Sequence, residues 1–231
     1  MTGQSKPAAL ANVDDTGLAE LIVGGDQGAF EALMRRYNGR LYRVARAILK
    51  DDADAEDALQ DAYLDAYSHM KDFRGEALFS TWLTRIVVNR ALMRLRSQRR
   101  HRVVVSMGER QEPESESKEV DVVDEKSESP SNATLRAEVR RMLERRIDEL
   151  PVAFRTVFVM REVEDMTVQE TADALSIPAA TVRSRLFRAR ALLREAMTRD
   201  MDVATGDVFA FAGGRCDRVV AGVLARCHGI V

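Results

Sequence analysis

The chain of 231 residues has two cysteines, few aromatic residues and no long apolar run. The two cysteines, Cys216 and Cys227, lie near one end of the chain, which excludes a disulfide framework. A transmembrane helix needs roughly 18 or more apolar residues in succession, and no such run occurs, so we expect no membrane insertion. The first residues lack the basic start and the apolar core of a signal peptide. Together these absences predict a cytoplasmic protein.

Residues that favour β-strands are also scarce. Aromatic residues make up 6% of the chain, whereas Ala, Leu, Arg, Asp and Glu dominate it. These residues favour helices, and apolar residues recur at helical spacing over most of the chain. The sequence therefore predicts an all-α fold of two small helical domains, residues 16–102 and 133–199. A C-terminal extension, residues 200–231, follows them, and its role stays open.

The segment between the two predicted domains, residues 103–132, differs in composition. It is rich in Glu, Ser and Asp, contains two prolines and has no aromatic residue. Such a segment cannot bury enough apolar surface to fold by itself, which predicts a flexible acidic linker. A structureless segment of this length is uncommon inside one compact domain, so the linker marks a predicted domain boundary.

The segment "TVQETADALSIPAATVRSRLFRAR" has the layout of a helix-turn-helix. Thr167 can cap a first helix, and Pro178 forces a turn because proline cannot continue that helix. The second helix is predicted to bury Val182, Leu186 and Ala189 and to leave several arginines outside. In a helix-turn-helix the second helix enters the major groove of DNA, where arginine can pair with guanine. The alternative is an ordinary helical hairpin with a solvated basic face.

A second arginine-rich helix is predicted between Arg85 and Arg102, and it contains seven arginines. Three aromatic residues lie just before it: Phe73, Phe79 and Trp82. A basic surface with aromatic residues suits single-stranded nucleic acid, because unstacked bases can lie on the rings or enter a pocket. The aromatic residues could equally belong to the core.

The stretch "DDADAEDALQDAY" places six acidic residues within residues 51–61. It is no calcium loop, because an EF-hand loop begun at Asp52 requires Gly and Glu where Asp57 and Tyr63 stand. As a helix, which Asp52 or Asp54 could cap, it aligns four carboxylates on one face. These are Asp54, Asp57, Asp61 and Asp65, and like charges at this spacing repel. Two interpretations stay open: a solvated face, or a docking face for a basic partner.

No catalytic or metal-binding constellation emerges from the sequence. The three histidines, His69, His101 and His228, are scattered, and Cys216, Cys227 and His228 do not have a recognised zinc spacing. The chain also lacks a phosphate-binding glycine loop and a nucleophile motif. We therefore expect neither an enzyme nor a metal or other cofactor.

Taken in order, these segments resemble a known family. "DAEDALQDAYLDAY", "DFRGEALFSTWLTRIVVNRALMRLR" and "LPVAFRTVFVMREVEDMTVQETADALSIPAATVRSRLFRARALLR" are similar to the extracytoplasmic-function (ECF) sigma factors of bacterial RNA polymerase. The resemblance covers about Leu18 to Met197. It implies that residues 16–102 are sigma region 2, residues 133–199 are sigma region 4, and residues 103–132 replace region 3.

The resemblance also implies roles for individual residues. Three match the surface that docks on the clamp helices of the polymerase β′ subunit: Asp57, Gln60 and Asp61. Six match the positions that capture a base of the −10 element and line the melted strand: Phe73, Arg74, Phe79, Trp82, Arg85 and Asn89. Six match the helix that reads the −35 element: Thr181, Arg183, Ser184, Arg185, Phe187 and Arg188. Leu150 to Phe158 corresponds to the segment that meets the β flap.

The function implied by the resemblance is promoter-specific transcription initiation without catalytic activity. The expected partners are core RNA polymerase, promoter DNA and an anti-sigma factor that holds the chain inactive. Three rivals stay open: one in the same broad field, one from another class, and a purely structural adaptor, which would leave both arginine-rich helices unexplained. The first is a one-component regulator in which residues 16–102 sense a ligand. The second is a nucleic-acid-modifying enzyme that holds Mg²⁺ with acidic residues such as Asp57 and Asp61.

Overall fold

The computed structural model describes residue 10, residues 12–73, 78–106 and 130–206, and residue 218. Within these ranges all regular structure is helical, which confirms the all-α prediction. The helices are α1 (Asp15–Val23), α2 (Gln27–Leu49), α3 (Asp52–Ser68), α4 (Phe79–Ser106), α5 (Pro130–Glu149), α6 (Val152–Phe158), α7 (Val168–Leu175) and α8 (Ala179–Gly206). A 3₁₀ turn at Met70–Asp72 follows α3, and a π-helical turn at Val159–Val163 follows α6. Arg74, Cys216, Cys227 and most of the predicted linker lie outside the described residues.

Helices α1 to α4 form the first helical half. Aspartates begin three of these helices, because their carboxylates accept hydrogen bonds from otherwise unpaired backbone N–H groups. The cap of α3 is Asp51, whose carboxylate accepts from the Asp54 N–H at 2.8 Å, so the expectation of Asp52 or Asp54 was wrong by one residue or more. After α1 the chain turns at Gly25, whose φ of +89° is a backbone conformation that favours glycine.

The core of this half is built from the apolar faces that the sequence predicts. Leu33 and Leu41 of α2 are fully buried, and the small residues Ala55 and Ala66 of α3 let that helix approach its neighbours closely. Leu83 and Val87 of α4 complete the cluster. Helix α3 is therefore held by its alanine stripe, and its acidic stripe lies on another face.

Helices α6 to α8 contain the predicted helix-turn-helix. Helix α7 ends at Ser176, whose left-handed backbone (φ 52°) reverses the chain, and Pro178 precedes α8. Val182, Leu186 and Ala189 are buried as predicted. The first two pack with Val157 of α6 and with Ala172 of α7, so these helices share one small apolar core.

A capping box fixes the start of α7. The Thr167 hydroxyl accepts from the Glu170 N–H at 3.1 Å, and the Glu170 carboxylate accepts from the Thr167 N–H at 2.6 Å. Burial alone would raise the pKa of Glu170, but its hydrogen bonds with Thr167 lower it below the usual value. Because the pKa is lowered, this stabilisation is present at neutral pH and is lost as the pH falls through the lowered pKa.

Thr167→Ala should therefore reduce the free energy of unfolding by about 1 kcal/mol at neutral pH. Urea denaturation followed by circular dichroism measures the change. Thr198→Ala is a matched control, because Thr198 bonds only the Arg194 carbonyl of its own helix and caps nothing. Equal effects of the two substitutions would contradict the capping role.

The described helices on the two sides of the predicted linker pack against each other. One apolar cluster combines residues of α2, α3 and α4 with residues of the π-helical turn, of α7 and of the loop between them: Val44, Ile48, Leu49, Ala58, Val88, Ala91, Met160, Met166 and Ala174. The described residues up to Ala191 accordingly form one compact unit, and the boundary placed at residues 103–132 stays a prediction. From Leu192 onward a second unit contains the rest of α8 as far as Gly206.

Candidate functional site

The outer face of α8 carries the residues predicted to read DNA. Arg183, Ser184, Phe187 and Arg188 are exposed, whereas Thr181 and Arg185 are half-buried. Phe187 is 75% exposed, which is unusual for so large an apolar side chain. The Ser184 hydroxyl donates to the Thr181 carbonyl of the same helix at 3.1 Å, so the side chain lies against the helix.

The arginines of α8 divide into two kinds. Arg190 donates to the Glu162 carboxylate at 2.8 Å and thereby ties α8 to the π-helical turn. Arg183, Arg185 and Arg188 make no hydrogen bond or ion pair with any described residue. Unpaired guanidinium groups beside an exposed aromatic ring are what a major-groove helix presents to guanine, phosphate and the thymine methyl group.

A second candidate surface lies around the start of α4. The rings of Phe73, Phe79 and Trp82 form one cluster, with centroid distances of 4.9 Å, 5.4 Å and 5.4 Å. Phe73 and Trp82 are half-buried and so keep part of each ring at the surface. Arg85 and Asn89 are exposed and share a helix face with Trp82, because they follow it by three and seven residues.

Phe79 differs from the other residues of the predicted base-binding set. It is only 4% exposed and also contacts Tyr37 of α2, with ring centroids 6.3 Å apart. A ring held in this way has no free face for a base. We therefore assign Phe79 to the support of Phe73 and Trp82, which combines the two interpretations that the aromatic residues allowed.

The acidic stripe of α3 is partly neutralised by α4. Arg94 donates to Asp54 and to Asp57, in both cases at 2.7 Å, and Arg90 makes a bidentate pair with Asp65. The hydrogen bonds from Arg90 lower the pKa of Asp65 against the opposing effect of burial. Three of the four aspartates in the stripe, Asp54, Asp57 and Asp65, therefore have a basic partner within the chain, namely the arginines of the neighbouring helix α4.

Two residues of the predicted docking surface remain available on α3. Gln60 and Asp61 are exposed, and Asp61 has no hydrogen-bond partner among the described residues. Asp57 is exposed too, but one of its carboxylate oxygens is occupied by Arg94. Leu64, 67% exposed, extends the same helix surface with an apolar side chain.

Sequence reasoning missed one set of charged residues altogether. Arg155 of α6 is buried and donates to backbone carbonyl groups of α2, and Arg43 and Arg46 of α2 pair with Glu164 and Asp148 from the second half. The only local signal was a single arginine in the apolar segment "PVAFRTVFVM".

Two further features are absent from the described residues. No cluster of three or more His, Cys, Asp or Glu side chains suited to a metal ion occurs in these ranges. Likewise, none of the described helices has the length and apolarity needed to cross a membrane.

Comparison with known proteins decides the family. Residues 33–101 match Sigma-70 region 2, and residues 140–193 match Sigma-70 region 4. The RNA polymerase sigma-H factor of Pseudomonas aeruginosa is 32% identical over 81% of this chain and 96% of its own length. The ECF sigma factor SigM of Mycobacterium tuberculosis is 36% identical over 76% of this chain and 82% of its own. The chain belongs to the ECF sigma factors. This sigma factor therefore acts in promoter-specific transcription initiation.

Solved structures share the fold. A chain from the complex of CnrH with the cytosolic domain of CnrY superposes with a TM-score of 0.54 and 24% identity, covering 79% of this sigma factor and 96% of that chain. A chain from the complex of the sigma factor RpoE with the anti-sigma factor NepR from Bartonella quintana gives a TM-score of 0.57 at 20% identity, covering 73% and 96%. At these identities the likeness supports the all-α arrangement of the two regions.

Proposed function

We propose that this sigma factor divides promoter recognition between α8 and the surface around the start of α4, and that it binds core polymerase through α3. The observation that carries the proposal is the exposed, unpaired set of Arg183, Phe187 and Arg188 on the second helix of a helix-turn-helix. A solvated basic face explains arginines, but it does not explain an exposed phenylalanine between them.

In this proposal α8 reads the −35 element in the major groove. Arg183 and Ser184 lie in the first turns of α8, where recognition helices approach base edges. Phe187 supplies an apolar contact for a thymine methyl group, and Arg188 neutralises a phosphate. The half-buried Thr181 and Arg185 then contact the DNA backbone and fix the position of α8 along the groove.

The surface around the start of α4 takes the −10 element. Phe73 and Trp82 offer partly exposed rings on which an unstacked base can lie, while Arg85 and Asn89 follow the strand with a charge and an amide. Phe79 packs against the rings of Phe73 and Trp82 from the core side and holds them in place. Base capture of this kind stabilises strand opening without any covalent step.

The docking surface for core polymerase consists of Gln60 and Asp61, with Asp57 contributing its second oxygen. We assign this surface to the clamp helices of β′, and Leu150–Phe158 to the β flap. We also infer that the protein has no catalytic activity of its own, as its matches to sigma regions 2 and 4 imply, and Asp57, on which the metal-dependent rival relies, is engaged by Arg94 through one oxygen. Its place of action is then the cytoplasm, where polymerase and chromosome are found.

A protein regulator fits the same assignment. Both solved complexes named above contain a sigma factor or its structural equivalent together with a second protein, and in the Bartonella quintana complex that protein is the anti-sigma factor NepR. We propose that an anti-sigma factor likewise restrains this chain. Co-purification of the tagged protein from its own cells before and after stress tests this, because a regulator should be present before and released after.

Run-off transcription with core polymerase tests the main proposal. Promoters selected from the chain's own genome should give transcripts only when the sigma factor is added. The one-component regulator predicts instead that the protein binds promoter DNA tightly without polymerase. Transcription that never depends on the added chain, together with tight binding to free DNA, would favour that rival.

Charge reversal of Asp61 tests the docking surface. Asp61→Arg should lower the affinity for core polymerase at least tenfold, because like charges brought together at an interface cost several kcal/mol. A pull-down at several polymerase concentrations measures the affinity. Glu20→Arg is the matched control, since Glu20 is an exposed acid on α1 with no proposed role. Equal affinity of Asp61→Arg and wild type would move the docking surface elsewhere.

A further inference from the structure

The outer face of α4 carries arginines that region 2 does not use for its own packing. Arg90 and Arg94 pair with aspartates of α3, as described above. Three further arginines on the next turns, Arg96, Arg99 and Arg100, are exposed and make no hydrogen bond or ion pair with any described residue. The part of the chain that the structure describes therefore leaves a concentration of positive charge unpaired towards the carboxyl end of α4.

These arginines line an open groove of about 830 Å³, in which Met93 and Asp61 lie beside the guanidinium groups. Met93 is 56% exposed, so the groove offers an apolar contact as well as positive charge. Hydrogen bonds between arginine and carboxylate are among the stronger ones in proteins, because both partners are charged. The groove therefore suits an extended chain that is rich in carboxylates.

The groove continues the surface assigned to the −10 element. Asn89, Arg96 and Arg100 follow Arg85 by four, eleven and fifteen residues, and these spacings keep all four exposed side chains on one side of the helix. Asn89 and Arg96 are about 10 Å apart along the axis, which is close to one Debye length at physiological ionic strength. A negatively charged segment held at Arg96 therefore still repels a phosphate group at Asn89.

The chain itself supplies an acidic segment next to this groove. Helix α4 ends at Ser106, and residues 107–129 then lead to α5. Nine residues of this segment are acidic and three are basic, which gives it a net charge of −6. Arg96 lies about 15 Å before the end of α4, a distance that about five extended residues span. The acidic residues from Glu109 onward can therefore reach the groove.

We propose that residues 107–129 bind back along the outer face of α4, with carboxylates on Arg96, Arg99 and Arg100, and thereby compete with DNA for region 2 in the free chain. The competition rests on the proposed function, because that function assigns DNA to this face. The binding itself rests on the unpaired arginines and on the charge of the segment. It needs no second protein and does not depend on how α6 and α7 pack.

The covalent connection makes weak charge pairs effective. A single exposed pair of arginine and carboxylate contributes little, but a segment joined to its binding site is present there at a millimolar effective concentration. DNA remains the stronger polyanion, because it carries one charge per about 1.7 Å, whereas the extended segment carries one net charge per about 13 Å. The segment should therefore weaken binding to DNA of arbitrary sequence by about threefold to tenfold and yield to promoter DNA held by the polymerase.

Photo-cross-linking of the full chain tests the binding. Glu116→Cys, in a chain that also carries Cys216→Ser and Cys227→Ser, takes a benzophenone maleimide at a single position. Mass spectrometry after illumination and digestion then identifies the residues that the label has reached. We expect cross-links to α4 between Met93 and His101, and we expect an excess of single-stranded DNA to suppress them.

A variant of the groove and a matched control show whether the arginines hold the segment. Arg96→Glu combined with Arg100→Glu should abolish the cross-links to α4, because the groove then repels the carboxylates. Arg35→Glu should leave them unchanged, since Arg35 is an exposed arginine of α2 that pairs with Glu31 within its own helix.

The affinity of the free chain for a short single-stranded DNA of arbitrary sequence tests the competition. Glu112→Lys combined with Glu116→Lys should bind this DNA about threefold to tenfold more tightly than a control of equal net charge. The control is Glu20→Lys combined with Glu138→Lys, which changes exposed acids of α1 and α5. Fluorescence anisotropy at one salt concentration measures both affinities.

Each result decides one part of the proposal. Cross-links that persist after the two α4 substitutions, or that form on other helices instead, would overturn the binding site. Equal DNA affinity of the segment variant and its control would overturn the competition. If wild type does not support run-off transcription with core polymerase, the proposed function is wrong, and the cross-links still decide whether the segment binds α4.

Discussion

Arg155→Ala should make the chain unfold in two separate steps where the wild-type chain unfolds in one. The reason is the position of Arg155, which joins α6 to the carbonyl groups of Ala47 and Ile48 at the end of α2. Hydrogen bonds from a charged donor contribute about 1.5–3 kcal/mol each, and buried acceptors left without a donor are destabilising. We expect the coupling between the two halves to fall by about 3 kcal/mol.

The position of the single tryptophan makes this measurable. Trp82 lies in α4 and packs with Phe73 and Phe79, so its fluorescence reports the first half, whereas circular dichroism reports every helix. In wild type the two signals should change at the same urea concentration. In Arg155→Ala the circular dichroism should begin to change earlier, because α6 to α8 lose the support of region 2.

Two further variants separate coupling from simple damage to region 4. Ala91→Arg places a long charged side chain in the fully buried centre of the interface, on the region 2 side and away from α6. It should separate the two signals in the same way. Arg188→Ala removes an exposed arginine of α8 and should leave them coincident. Coincident transitions in both Arg155→Ala and Ala91→Arg would show that the interface does not couple the halves.

Local features of the fold were readable from sequence because local chemistry determines them. Thr167 with Glu170 three residues later specifies the start of α7 wherever the helix lies, and the apolar spacing of Val182, Leu186 and Ala189 determines which face of α8 is buried. The exposed face of the recognition helix follows from the same period. These predictions required no knowledge of distant contacts.

The ion pairs of the acidic stripe could have been predicted by comparing the charge spacing of α3 with that of α4. Its aspartates recur every three or four residues on α3, and Arg90 and Arg94 are spaced by four on α4. Two antiparallel neighbouring helices with matching spacing of opposite charges can pair, and these do. Repulsion among the carboxylates follows from the sequence of α3 alone, whereas their neutralisation depends on which helix packs beside it.

Arg155 could not be assigned from sequence, because its partners are non-local backbone atoms. The Ala47 and Ile48 carbonyls lie 108 and 107 residues away and have no side-chain signature. A lone arginine in an apolar helix is ordinarily interpreted as the solvent-facing residue. For a related reason the sequence could not decide between core packing and base binding for Phe79, since the contact with Tyr37 links two helices far apart in the chain.

Phe187→Ala and Arg183→Ala should each reduce transcription from a −35-dependent promoter about tenfold or more while core polymerase binding stays unchanged. An arginine that pairs with guanine through two hydrogen bonds contributes about 1–3 kcal/mol of discrimination, which corresponds to roughly 5- to 150-fold. Phe187 is 75% exposed, so its removal leaves no cavity and should not reduce stability. Loss of activity in Phe187→Ala therefore reports contact with DNA.

The two substitutions and Arg188→Ala should differ in their dependence on DNA sequence and salt. Replacing the thymines of the −35 element should make wild type and Phe187→Ala equal, because the methyl groups that the ring would contact are gone. Arg188→Ala should weaken binding on every template and lower the slope of log K against log salt by about one, as expected for one lost phosphate contact. Arg35→Ala, which removes an exposed arginine from α2, should change neither quantity. If Phe187→Ala instead weakened transcription equally on templates with and without those thymines, Phe187 would contribute no sequence discrimination, and the specificity assigned to this face would have to come from Arg183 or from outside the helix.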